Sequence, residues 1–117
     1  MLKRKLGNTG FEVAPVGLGT WVFGGWPWNE INEKECEKAL ATALDLGVNL
    51  IDTAPVYGFG RSEAIVGRTL KTLGARGKII LATKFGFSWE GEKRKKIWKD
   101  ISKKTLLREI EESLVRL

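Results

Sequence analysis

Two short apolar runs in this chain each end on an ionisable residue: Val48 to Ile51 stops at Asp52, and Ile79 to Thr83 stops at Lys84. A Pro/Gly turn, Ala54-Pro55-Val56-Tyr57-Gly58-Phe59-Gly60, follows the first run, and a helix-period segment begins at Ser62. Strand–helix alternation with short links predicts a parallel sheet with right-handed crossovers. Neighbouring parallel strands that carry ionisable residues at their C-terminal ends place them where α/β folds hold their sites. Period-two alternation puts Val48, Leu50 and Asp52 on one face, so a carboxylate closes an otherwise apolar surface. A charge there is expensive unless it is paired. Lys84 is the candidate partner.

Tyr57 lies five residues beyond Asp52 in the loop, and the trio suits proton donation by a phenol. A free phenol titrates near pH ~10. An ammonium beside it favours the phenolate and makes it a better acid near neutrality. Asp52 would keep Lys84 charged and aimed. Taken singly, each residue also has a plain reading: Asp52 as a turn or cap, Lys84 as an ordinary strand end, Tyr57 as a loop aromatic.

Other chemistries are disfavoured. The chain has no histidine, so neither a Ser-His-Asp nor a Cys-His arrangement can be assembled. The single cysteine, Cys36, cannot form an internal disulfide, and its place on a helix's apolar side suggests a buried, inert thiol. No acidic cluster has the spacing of a metal site, so no metal is expected. Gly58-x-Gly60 is too short to count as a phosphate loop.

Gly17-Leu18-Gly19-Thr20-Trp21, then Asn49-Leu50-Ile51-Asp52-Thr53-Ala54-x-x-Tyr57-Gly58 with Ser62-Glu63 and Val66-Gly67, then Ala82-Thr83-Lys84, resemble the aldo-keto reductases. Leu107-x-x-x-Ile110-x-x-Ser113-Leu114-x-Arg116-Leu117 is similar to that family's third helix. The likeness is nearest the bacterial branch that includes general-stress reductases and relatives of potassium-channel β subunits. It implies an oxidoreductase built as a (β/α)8 TIM barrel, reducing aldehydes and ketones with NADP(H) through a tetrad of Asp, Tyr, Lys and His. On this resemblance Asp52, Tyr57 and Lys84 are the catalytic positions. Gly19, Thr20, Trp21 and Asp52 would meet the cofactor. Trp21, Trp26 and Tyr57 would line the substrate pocket, with Trp28 as a further candidate.

Two departures shape the expectation. The tetrad histidine is absent, and the chain stops where the family's fourth strand would begin, ahead of the loops that hold most of the dinucleotide. The expected fold is therefore α/β: an N-terminal β-hairpin at 2–13 and three βα units at about 16–46, 48–73 and 78–117, the first part of an incomplete barrel. By itself such a piece is expected to be inactive, with no cofactor bound, and to self-associate or pair with the missing C-terminal part. The alternative is a catalytically silent fragment, or an assembly or cofactor-sensing subunit.

Local signals refine this layout. Asn32 reads as the N-cap of a first helix whose buried stripe is Cys36, Ala39, Leu40, Ala43 and Leu44, ended by Gly47. Ser62 reads as the cap of a second helix that stops at Gly74, and Leu107, Ile110, Leu114 and Leu117 as the core stripe of a third. Residues 85–101 read as a loop. The net charge of +6 resides largely between Gly91 and Lys104, where seven basic residues face two acidic ones. That pattern suits a solvated loop, or else a basic lid over phosphate or a polyanion contact. One aromatic there, Trp98, is a poor nucleic-acid signature, so no nucleic-acid partner is expected. No apolar run approaches the ~20 residues of a membrane span. Met1 to Lys5 is basic without a signal peptide's apolar stretch. A small carbonyl substrate and a cytoplasmic location are expected.

Overall fold

The first strands form because a short turn returns the chain on itself. Strand β1 (Arg4–Lys5) pairs antiparallel with β2 (Glu12–Val13). The turn is closed by Leu6 N donating to Phe11 O at 2.9 Å and by the Thr9 hydroxyl donating to Leu6 O at 2.6 Å. The structure, a computed structural model, describes residues 2–27, 30–91 and 96–117. Trp28 and three of the basic residues singled out above, Lys93, Arg94 and Lys95, lie outside the described residues.

Strands β3 (Leu18–Gly19), β4 (Leu50–Asp52) and β5 (Ile80–Ala82) form a parallel sheet in the order β3-β4-β5. Gly19, Asp52 and Ala82 stand level in the register. The ladder runs one residue further at each step, with Thr20 N donating to Asp52 O and Thr53 N to Ala82 O, both at 2.9 Å. Level ends bring the segments that carry Trp21, Asp52 and Lys84 to one rim. Asn49 joins this sheet to the hairpin: its amide accepts from Ala14 N and donates to Glu12 O, each at 2.8 Å.

Helix α1 (Glu33–Asp45) begins at Asn32, whose side chain accepts from Lys34 N, and the chain leaves it through Gly47 at φ +88°. Helix α2 (Arg61–Thr72) packs beside it. Between these helices and the sheet lies the apolar core, where Leu40, Ile51, Val66 and Leu70 are fully shielded and Ile65 nearly so. Val48 joins this core with Ile51, so only Leu50 and Asp52 share the opposite, half-open face. Cys36 is buried on α1, and that burial pushes its thiol up. Ala39 is exposed, at the margin of the stripe, so the buried side of α1 is narrower than the sequence suggested.

Two other expectations are corrected. Gly60, at φ +93°, is the N-cap of α2, and Ser62 is instead buried inside the fold. Helix α3 (Lys103–Arg116) turns Thr105, Glu109 and Ser113 inward, while Leu107, Ile110 and Leu114 are 52%, 46% and 72% exposed. The inward polar residues each have a partner: Asp100 for Thr105, Gly86 N for Glu109, Glu63 for Ser113. The apolar stripe has none of comparable extent among the described residues, apart from Leu117, which meets the core.

Two stretches of the segment expected to be a loop are strands instead. Strands β6 (Phe87–Glu90) and β7 (Lys96–Lys99) pair antiparallel, Phe87 opposite Lys99 and Glu90 opposite Lys96. Phe87-Ser88-Trp89-Glu90 alternates apolar and polar residues, which suits a half-covered ribbon. No described helix is long and apolar enough to cross a membrane.

Candidate active site

The three residues picked from sequence meet at the rim. Lys84 stands two residues beyond β5, and its ammonium donates to the Asp52 carboxylate at 2.7 Å, to the Thr53 carbonyl at 3.0 Å and to the Tyr57 hydroxyl at 3.1 Å. A lysine ammonium has three protons and no acceptor. All three are assigned, and the Tyr57 oxygen must be the acceptor in its bond. The phenolic proton is thereby left to point elsewhere, which is the arrangement a proton donor needs.

Burial works against the Lys84 charge, but the bonds to Asp52 and Tyr57 outweigh it and hold its pKa above the ordinary 10.5. A raised folded-state pKa contributes stability that is fully present below the unfolded value and is lost as pH rises through the folded one. We therefore expect Lys84 to keep its ammonium proton beyond the pH at which a free lysine begins to lose it, and its contribution to the trio to weaken only above about 10.5, as read by a pH titration of the lysine ammonium signal in NMR.

Tyr57 is fixed by its surroundings. Trp21, 48% exposed, stacks on its ring with centroids 5.9 Å apart and planes at 26°. The loops after β3 and β4 cross backbone to backbone at Gly24 and Gly58, where a Cβ on Gly24 would lie 2.5 Å from Gly58 N and 2.7 Å from Tyr57 O. Backbone cannot yield as a flexible side chain can. Gly24→Ala is expected to cost about 1–3 kcal/mol and to displace the Tyr57 loop, checked by thermal unfolding and activity together. Beyond the crossing, Phe59 adopts φ +58° and sits between Trp26, at 5.2 Å, and Trp89 of β6, at 5.4 Å. An apolar cleft of about 170 Å³ opens beside the trio, lined by Pro55, Val56, Tyr57, Lys84, Phe85 and Phe87, among others.

The remaining sequence candidates divide. A Cβ placed on Gly19 would meet nothing within 4 Å, so space is open above the strand end next to Asp52. Thr20 is fully buried, and its hydroxyl is engaged by Asp52 O and by Ser62. Ser62 also meets the Thr53 hydroxyl at 3.0 Å, tying two strand ends together. Trp26 packs on Phe59, whereas Trp21 is the tryptophan stacked on Tyr57. Sequence reasoning missed Trp89 as part of the rim, although alternation with Phe87 was its signal. It also gave no role to Glu63 or Glu109, both buried charges. Among the described residues no cluster of three or more metal-ligating side chains occurs.

The profile of the Aldo/keto reductase family matches residues 15–117. This chain belongs to that family. It is 43% identical over 112 residues to the aldo-keto reductase YhdN of Bacillus subtilis, covering 96% of this chain and 33% of that protein. It is 39% identical to the NADH-specific methylglyoxal reductase of Escherichia coli, covering all of this chain and 38% of that protein. The chain thus spans little more than a third of the length of these curated relatives. The glycerol dehydrogenase AKR11B4 of Gluconobacter oxydans superposes with a TM-score of 0.85 at 42% identity, over 98% of this chain and 35% of that one. The α/β fold expected from sequence, a partial set of barrel strands and helices from an aldo-keto reductase, is what the structure and its relatives give.

Proposed function

We propose that the complete protein carrying this chain is an oxidoreductase that reduces aldehydes and ketones to alcohols with NADP(H). Tyr57 is the general acid, Lys84 the cation that orients and polarises it, and Asp52 the anchor of Lys84. The observation that carries this reading is the saturated ammonium: with all three Lys84 protons committed, the Tyr57 proton is the one available to a carbonyl oxygen. A bound reduced nicotinamide supplies the hydride that goes to the carbonyl carbon. The open space at Gly19 and the half-exposed Trp21 beside Tyr57 suit a flat ring laid beside the trio. Thr20, being buried, would serve the cofactor by holding the Asp52 strand end. Tyr57 delivers its proton as the alkoxide forms, and Lys84 stabilises the phenolate left behind. Trp21, Trp26 and Tyr57, with the cleft at Phe85 and Phe87, would face the substrate's substituents.

Residues 1–117 are read as the N-terminal part of the barrel, the hairpin at 2–13 and units at about 16–46, 48–73 and 78–117. The exposed stripe on α3 favours pairing with a further segment or a second copy. On this reading the isolated 117 residues neither turn over nor bind the cofactor tightly. The test is a fluorescence titration with NADPH and NADH, and an aldehyde-reduction assay, on this chain and on the complete protein. Reduction by the complete protein with one of these nucleotides, and at most weak binding by the 117 residues alone, is the expected result. A complete protein that reduces no aldehyde with either cofactor would overturn the reading, and turnover by 117 residues alone would overturn the part assigned to the rest of the barrel.

A further inference from the structure

We propose that Glu63 and Glu109, two buried carboxylates on different helices, are positioning residues that clamp the backbone on either side of Lys84. The proposal rests on the assignment of Lys84 and Tyr57 given above. The sheet ladder stops at Ala82, so Lys84 lies on a segment that the strand no longer holds. One residue before it, the Thr83 hydroxyl donates to Glu63 at 2.6 Å. Two residues after it, Gly86 N donates to Glu109 at 2.8 Å. Glu63 is 0% exposed and Glu109 1%. Both belong to helices, α2 and α3, that pack against one another.

The cost of burying these charges suggests what they are for. A neutral side chain of similar shape would fill the same space without desolvation. Bonds to an ionised acceptor are shorter and stronger than neutral ones, so a carboxylate fixes its donor more tightly. Glu63 is further held by Ser113 at 2.9 Å and by Arg116 at 2.6 Å, which makes it a rigid post. Glu109 spends one oxygen on Gly86, while its other oxygen has no hydrogen bond and only Arg108 at 3.7 Å. The Gly86 bond is thus the one hydrogen bond found for that carboxylate among the described residues. Two fixed acceptors flanking a four-residue segment determine where the lysine stem starts. The stem's start in turn sets whether the ammonium reaches Asp52, Thr53 and Tyr57 together.

Thr83→Val is the decisive change, because it keeps the side-chain shape and leaves Glu63 its bonds to Ser113 and Arg116. In the complete protein we expect kcat to fall, by up to ~10²-fold for a displacement near 1 Å, with KM and nicotinamide affinity little changed. Thr83→Ser should restore it. Glu109→Gln, which keeps an acceptor for Gly86 N, should retain most of kcat, and Glu109→Leu should not. A crystal structure of Thr83→Val should show the 3.1 Å contact between Lys84 Nζ and Tyr57 Oη opened beyond hydrogen-bond reach. Unchanged kcat in Thr83→Val with that contact intact would overturn the clamp, as would a loss matching only the unfolded fraction. Tyr57→Phe separates the two claims: if it stays active, the acid assignment is wrong, and the Lys84–Tyr57 separation in Thr83→Val still decides the positioning claim.

Discussion

Tyr57→Phe is expected to lower carbonyl reduction by the complete protein about 10²–10⁴-fold, the usual contribution of a positioned acid. The change deletes one oxygen and little else. Phenylalanine keeps the ring that stacks on Trp21, so the loop geometry and the wall of the cleft should survive. Lys84 keeps Asp52 and Thr53 as acceptors, and with its side chain 48% exposed, water can take the third proton. Nicotinamide binding and thermal stability should therefore stay close to those of the parent. Steady-state kinetics with a small aldehyde, set beside a cofactor titration, checks this. Turnover near the parent's level would remove Tyr57 from the chemistry.

The second large effect concerns stability. Arg116→Met should destabilise the fold by about 3–5 kcal/mol, because it leaves the Glu63 carboxylate buried without its cation. Glu63 is 0% exposed and receives Arg116 Nε at 2.6 Å. The approach is possible only because α3 ends against Gly67 of α2, where any Cβ would collide with the Arg116 carbonyl. Pairing Arg116→Met with Glu63→Gln should recover part of the loss, since a neutral amide costs less to bury than an orphaned anion. Denaturant unfolding of the two single variants and the double variant measures it. Additive losses would mean that the ion pair contributes nothing beyond its separate parts.

Much of this site was legible in the sequence because its residues sit where backbone rules put them. Asp52 and Lys84 end apolar runs, and Tyr57 follows a Pro/Gly turn, so strand order alone brings them to one rim. Ser62 was misread because a serine opening a helix is most often a cap. Its actual partners, Thr20 and Thr53, are long-range, and no local pattern announces them. The stripe of α3 failed differently. Periodicity shows which residues share a face, but it does not show which face finds a partner. There the polar side won, because Gly86 N, Glu63 and Asp100 were waiting for it. The β6–β7 ribbon was hidden by its lysines, which drew attention to charge and away from the alternation of Phe87, Ser88, Trp89 and Glu90.

Ser62 and Glu63 are adjacent in one helical turn, yet between them they hold Thr20, Thr53 and Thr83, the residues just past the three strands of the parallel sheet. Adding or deleting a single residue between Pro55 and Gly60 would disturb the backbone crossing of Gly24 with Gly58 that lies just ahead of that turn. Length variation in natural or designed relatives should therefore be barred from this connection.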